Sequence, residues 1–189
     1  MPRCLIIAGP NGAGKTTFAL TRLREIGIRR FINADMIAVG LSPLDPDAQQ
    51  VTAARLFLEQ LEDRVSAGED FAFETTLSGR SYLKRIQRLR SWGWTVELIY
   101  LALPSVEMSR FRVAERVAHG GHDIPVADIE RRFPRSLRNL LTDYRMEVDT
   151  CVCYMNSKGV PVEIFEQASS GLLVVNPALF EYIGHLAGR

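Results

Sequence analysis

The sequence predicts an α/β fold: a mainly parallel sheet held between helices, three αβα layers deep, in one domain spanning 1–189 with a helical lid. Three observations carry this. Short runs of apolar, β-forming residues alternate with longer stretches of helical periodicity along the whole chain. At 189 residues, 47% of them apolar, the chain is the size of one domain and can cover a sheet on both faces. A glycine-rich loop also sits between the first apolar run and the first helical segment.

The elements follow in order. "RCLIIAG" is a buried strand, and the helix after the glycine loop runs to about "REIG". "FINAD" (31–35) is a second strand. "DPDAQQVTAARLFLEQLEDRVSAGE" turns helical after its Asp-Pro start. "FAFETT" (71–76) is a third strand, followed by a basic helix to about Ser91, and "TVELIYLALP" (95–104) is the longest apolar strand. Ser105 caps the next helix, which "GGHDIP" (120–125) breaks. "VADIERRFPRSLRNLLTDYRMEV" is helical again, with a kink expected at Pro134. "TCVCYMN", "VEIFEQA" and "LLVVN" complete the strands, and a last helix follows Pro177.

Net charge is +1, so no global field draws the chain to nucleic acid or an acidic membrane. No apolar stretch reaches membrane-spanning length, and "MPRCLIIAGP" lacks the pattern of a signal peptide. The cysteines are Cys4, Cys151 and Cys153. An odd count inside apolar strands predicts buried, reduced thiols, and with them a cytoplasmic location.

"GPNGAGKTT" (9–17) satisfies G-x-x-x-x-G-K-[ST] at Gly9, Gly14, Lys15 and Thr16, with a strand before and a helix after. This is the phosphate loop of a P-loop NTPase. Gly9, Pro10, Asn11, Gly12, Ala13, Gly14, Lys15, Thr16 and Thr17 form the cradle. Its N–H groups and the helix N-terminus attract anionic oxygens. Lys15 reaches the β- and γ-phosphates and Thr16 binds Mg²⁺. ATP is favoured over GTP because no N-K-x-D guanine motif follows.

What the chain does with the phosphate depends on its acids. A hydrolytic motor needs an apolar strand ending in Asp, and "TVELIYLALP" has no acid at its end. "LSGRS" (77–81) has only a superficial likeness to an ABC-type signature. Asp35 and Glu74 end two shorter strands, at the carboxyl edge where α/β sheets bind ligands. One can take the proton from an attacking hydroxyl, the other can fix Mg²⁺ or its waters. That predicts a kinase-like P-loop phosphotransferase acting on a small hydroxyl substrate. The alternatives are a nucleotide-hydrolysing switch without an acceptor and a polynucleotide kinase.

Between Arg110 and Arg138 stand seven arginines against four acids. Arg112 and Arg116, and Arg131 and Arg135, repeat like charge at i,i+4, a spacing that an anion between them would relieve. This predicts a lid over about 105–140 that brings guanidinium groups to the triphosphate. His119 and His122 flank the glycine break in the role of lid or cap rather than zinc ligands.

Taken together, "AGPNGAGKTT", "FINADMIAVGLSP", "FAFETTLSGRSYL", "LIYLALPSVEMSRFRVAERVAHGGHDIP" and "DIERRFPRSLRNL" resemble the zeta toxin family of P-loop kinases, above all its short stand-alone branch. The resemblance implies an ATP- and Mg²⁺-dependent kinase. Its acceptor would be a small molecule such as UDP-N-acetylglucosamine, and an antitoxin protein would be its partner. It implies Lys15 and Thr16 at the phosphates, Asp35 as catalytic base, and Glu74 at the substrate and metal site with Thr75 and Arg80. It further implies Arg116, Arg132 and Arg135 from the lid, and Asn156 in the adenine-side loop "NSKG". The chain lacks a recognisable uridine-binding insertion, and "MIAVGLSPLDPDAQQ" is this branch's own.

Overall fold

A computed structural model of the protein describes residues 1–157 and 160–188. The strands are β1 (Arg3–Ala8), β2 (Arg30–Ile32), β3 (Phe71–Thr75), β4 (Thr95–Ala102), β5 (Thr150–Met155), β6 (Val162–Ala168) and β7 (Gly171–Val174). The helices are α1 (Lys15–Arg22), α2 (Ala34–Leu41), α3 (Gln50–Ala67), α4 (Leu83–Ser91), α5 (Val106–Ala118), α6 (Val126–Asn139), α7 (Arg145–Glu147) and α8 (Pro177–Leu186). One sheet runs in the order β2-β3-β1-β4-β5-β6-β7. The five strands from β2 to β5 are parallel, and β6 and β7 add an antiparallel edge. This is the three-layer α/β architecture that the alternation predicts.

Strand β1 shows why both faces are covered. Cys4, Ile6 and Ala8 pack into the larger core cluster with Phe57, Leu61 and Leu137, while Leu5 and Ile7 pack the other way against Ala19, Leu23 and Ile28. Side chains alternate across a strand, so an unbroken apolar run demands helices on both sides. All three cysteines are free and buried. Burial pushes the Cys151 thiol up to about 12 and raises Cys4 and Cys153 as well, which keeps them protonated. Among the described residues, no helix is long and apolar enough to cross a membrane.

Three elements depart from the sequence reading. The first helix stops at Arg22 and the chain turns over 23–27. "FINAD" is a strand only to Ile32. Asn33 caps α2, its Oδ1 accepting from the Met36 N–H at 3.0 Å, so Asp35 lies in the first turn of a helix rather than at a strand end. Helix α6 continues through Pro134 and widens into a π-helical turn at Leu140–Tyr144. Its Ile129, Phe133 and Leu137 are buried. Its Ser136 bonds the Tyr100 hydroxyl at 2.7 Å and the Thr76 carbonyl. Half of the expected lid is therefore fixed to the core. Ser105 caps α5 as expected, accepting from the Met108 N–H at 3.2 Å.

Candidate active site

The register of the sheet sets the site. On β3, Glu74 lies beside Ile7 and Thr75 beside Ala8, and the phosphate loop begins at the next residue, Gly9. Gly9 sits against β4 so closely that a Cβ there would lie 2.3 Å from the Leu101 carbonyl oxygen. Only a residue without a side chain lets the loop leave the sheet at that point. At the far end Gly14, at φ +80°, turns the chain in the left-handed region to start α1.

Four polar side chains then converge. The Lys15 ammonium donates to the Pro10 carbonyl at 3.0 Å and stands 3.6 Å from Glu74 Oε1. The Thr16 hydroxyl donates to Glu74 Oε2 at 2.7 Å. The Asn33 amide donates to the same oxygen at 2.7 Å and to Thr16 Oγ1 at 3.3 Å. Lys15 and Asn33 are buried, and the Glu74 side chain is 13% exposed. Burial pulls the Lys15 ammonium below its ordinary value. The carboxylates of Glu74 and Asp35 pull it back up, and Arg116 adds to the lowering. An anion brought to this point would supply the compensating charge that the interior lacks.

A cavity of about 160 Å³ opens beside this cluster, lined among others by Asn11, Lys15, Asn33, Asp35, Glu74 and Arg116. Two of its polar atoms, Asn11 Oδ1 and Arg116 Nε, are buried without a hydrogen-bond partner among the described residues. Such atoms cost about 1–3 kcal/mol each unless a ligand or water meets them. Arg116 is aimed by its own loop: its Nη2 donates to the His122 carbonyl at 2.8 Å, and the His122 ring bonds Asp47, just before α3. His119 turns back to the Glu115 carbonyl. A second cavity, about 590 Å³, lies on the other side of the loop against Gly14, Thr17, Phe18, Tyr154 and Asn156. Its volume and apolar walls suit a nucleoside. Asn156 donates to the Ala13 carbonyl at 2.8 Å, tying the end of β5 to the loop. Of the "NSKG" segment, Lys158 and Gly159 lie outside the described residues.

Asn11, Gly12, Lys15, Thr16, Asp35, Glu74, Thr75 and Arg116 thus come together in space, whereas Arg80, Arg132 and Arg135 do not join them. Arg80 faces away and pairs with Asp143 at 3.0 Å. Arg132 pairs with Asp128 at 2.9 Å, as an i,i+4 pair on α6 should, and Arg135 is exposed. Neither lines the cavity. One residue escapes the sequence reading and another takes a different role. Asn33 holds Glu74, and its signal was an Asn followed by an acid two residues on, a helix start. Arg112 donates to the Gly12 carbonyl at 3.3 Å and to the Ser157 carbonyl, clamping the loop from α5. Its i,i+4 spacing to Arg116 points to a lid arginine facing an anion, whereas the structure gives it backbone carbonyls to hold.

The donor set at Thr16 and Glu74, a hydroxyl and a carboxylate, is the hard-oxygen chemistry that Mg²⁺ takes. Among the described residues no group of three or more His, Cys, Asp or Glu is placed to hold a metal ion. Mg²⁺ at Thr16 would therefore take its remaining ligands from phosphate and water.

Comparison with known proteins agrees with this architecture. An uncharacterised protein of Haemophilus influenzae is 28% identical over 131 residues, which are 69% of this chain and 92% of that one. The crystal structure of the AvrRxo1-ORF1:-ORF2 complex with ATP superposes with a TM-score of 0.73 at 18% identity, over 97% of this chain. The present chain spans only 63% of that protein. A structure from the PezAT chromosomal toxin–antitoxin system of Streptococcus pneumoniae matches with a TM-score of 0.67 at 17% identity, over 98% of this chain and 78% of that one. A gluconokinase from Sinorhizobium meliloti matches with a TM-score of 0.53 at 13% identity, over 99% and 94%. At these identities the likeness is one of fold, that of P-loop kinases. The model of the AAA domain family matches residues 5–133, more than half of the sequence and all of the elements from β1 into α6, and the chain belongs to that family.

Proposed function

We propose that the protein is an ATP- and Mg²⁺-dependent phosphotransferase of the zeta toxin type that phosphorylates a hydroxyl of a small acceptor. The observation that carries this is the cavity in which Asp35 faces Lys15, Glu74 and Arg116 across the phosphate loop. A kinase needs room beside the phosphate loop for its acceptor and a carboxylate to take the acceptor's proton, and this cavity offers both.

In this reading the larger cavity holds the nucleoside of ATP, with Asn156 beside it. Mg²⁺, held through Thr16 and Glu74, would neutralise phosphate charge. Asp35 orients the acceptor hydroxyl and takes its proton. The freed oxygen forms a bond to the γ-phosphorus as the bond to the β-phosphate bridging oxygen breaks, and ADP leaves. Lys15 and Arg116 hold the charge that spreads over the transferring group. Arg132, paired with Asp128 in this arrangement, would reach the phosphates only by leaving that pair. The resemblance makes UDP-N-acetylglucosamine the first acceptor to try. The complexes formed by AvrRxo1-ORF1 and the PezAT system support a protein antitoxin as partner. Residues 1–189 act as one kinase domain in which α5, from the 105–140 segment, brings Arg116 to the site.

The test is Asp35→Asn. Loss of the base should lower turnover with an acceptor by roughly 10²–10⁴-fold, measured as labelled phosphate transferred from ATP in a metabolite screen, while ATP affinity stays within twofold. Unchanged turnover would remove Asp35 from the reaction, and rapid ATP hydrolysis that no acceptor stimulates would favour the switch.

A further inference from the structure

The cavity at Asp35 does not end there. It shares Ala34 and Glu74 with a third cavity of about 300 Å³, whose walls include Phe57, Leu58, Tyr82 and Arg85. That cavity in turn shares Ser81 and Arg85 with a fourth, about 250 Å³, lined by Ser81, Lys84, Arg85 and Arg88. The three are neighbours, each sharing wall residues with the next. From the cavity at Asp35 they pass aromatic and aliphatic side chains and reach a basic cluster of Lys84, Arg85 and Arg88 on α4.

The charge at that end is unbalanced. Three cations, Lys84, Arg85 and Arg88, are met by the one carboxylate of Glu62. Arg88 Nη2 donates to both Glu62 oxygens, at 2.7 and 2.8 Å. Arg85 Nη1 stands 2.6 Å from Glu62 Oε1 as an ion pair, and Arg88 Nε is buried without a hydrogen-bond partner among the described residues. The Arg85 side chain is only 18% exposed. Three cations held around one carboxylate keep a net positive charge, and guanidinium forks fixed in place are matched by phosphate or carboxylate oxygens.

The geometry points to an acceptor that is itself an anion: a small molecule with a hydroxyl at one end, an apolar or planar middle, and a phosphate or carboxylate seated on Lys84, Arg85 and Arg88. This rests on the phosphotransferase reading for the hydroxyl end. The anion subsite stands on its own geometry.

A binding measurement tests it without turnover. The phosphate loop is first saturated with a non-hydrolysable ATP analogue and Mg²⁺, so that anions cannot enter there. Phenyl phosphate, benzoate and benzyl alcohol are then titrated and read by Trp92 fluorescence, since the Arg88 guanidinium lies 5.0 Å from that ring, and by calorimetry. One or both anions should bind at least tenfold more tightly than the alcohol, and the tighter of the two identifies the phosphate or the carboxylate. Lys84→Met and Arg85→Gln, tested singly, should each weaken the anion by threefold or more. The exposed Lys84 keeps the test valid if the half-buried Arg85 variant folds poorly. Equal affinity for the alcohol, no binding of either anion, or anion binding that ignores both substitutions would overturn the assignment. Asp35→Asn tests transfer alone, so either reading can fail without the other.

Discussion

Replacing Asn33 probes two interactions at once. The side chain is 4% exposed, caps α2 through the Met36 N–H, and donates to the Glu74 carboxylate at 2.7 Å. Asn33→Ala removes the cap, typically about 1 kcal/mol. It also removes a hydrogen bond to a charged group, roughly 1.5–3 kcal/mol. The sum is about 3 kcal/mol, or ~6–12 °C in Tm for a chain of this size. Asn33→Ser separates the parts. Its hydroxyl can cap the helix but is too short to reach Glu74, so it should recover only the cap, about 2–4 °C. Thermal unfolding of the three proteins by circular dichroism, without nucleotide, reads both values. If Asn33→Ala melts with the wild type, neither bond contributes. If Asn33→Ser restores the full Tm, the bond to Glu74 is worth nothing and the account of that carboxylate's fixation is wrong.

Two further outcomes follow from packing and burial. Gly9→Ala drives a methyl group to 2.3 Å from the Leu101 carbonyl; overpacking against backbone should cost roughly 1–3 kcal/mol or more, seen as a lower urea midpoint, and an unchanged midpoint would contradict the close approach. Cys151 keeps its proton in the fold up to about 12, whereas its ordinary value is 9.0. Between those values the native state binds more protons than the unfolded chain, so the thiol's contribution is complete below pH 9 and is lost as pH rises towards 12. Stability of the wild type should therefore fall with pH across that window more steeply than that of Cys151→Ala, by at most about 1.4 kcal/mol per pH unit. Parallel urea-stability curves between pH 9 and 11 would refute it.

Much of the donor side was legible because its chemistry is local. Gly9, Gly14, Lys15 and Thr16 carry their role in their spacing, and a strand and a helix flank them as the motif requires. Glu74 could be found because it ends a strand. Asp35 was placed at the correct edge by a wrong route, since Asn33 stops the strand and starts a helix. The cap rule, applied to "NADM", would have exposed both residues. The arginines were harder. Counting charge over 110–138 could not show that Arg112 clamps the loop, that Asp128 takes Arg132, or that Arg80 answers Asp143 across 63 residues. Asp128 and Arg132 were readable at i,i+4, and so were the apolar Ile129, Phe133 and Leu137 that fix α6 to the core. The order of strands and the antiparallel edge of β6 and β7 depend on long-range pairing, which no local pattern encodes.

Helix α5 is joined to the phosphate loop at both Asn11, through the Ser109 hydroxyl, and Gly12, through Arg112. Arg112 reaches on to Ser157, the neighbour of Asn156 in the wall of the larger cavity, and Arg116 lies one turn further along the same helix. Loop, helix and base-side strand are thus parts of one rigid bracket. A clamp built this way cannot swing from the root of α5 without dragging the triphosphate cradle with it. The short span from His119 to Pro125 joins the end of α5 to the anchored α6. That span ties the two sides of the cavity together: the His122 carbonyl holds Arg116 and the His122 ring holds Asp47, so neither can shift without the other.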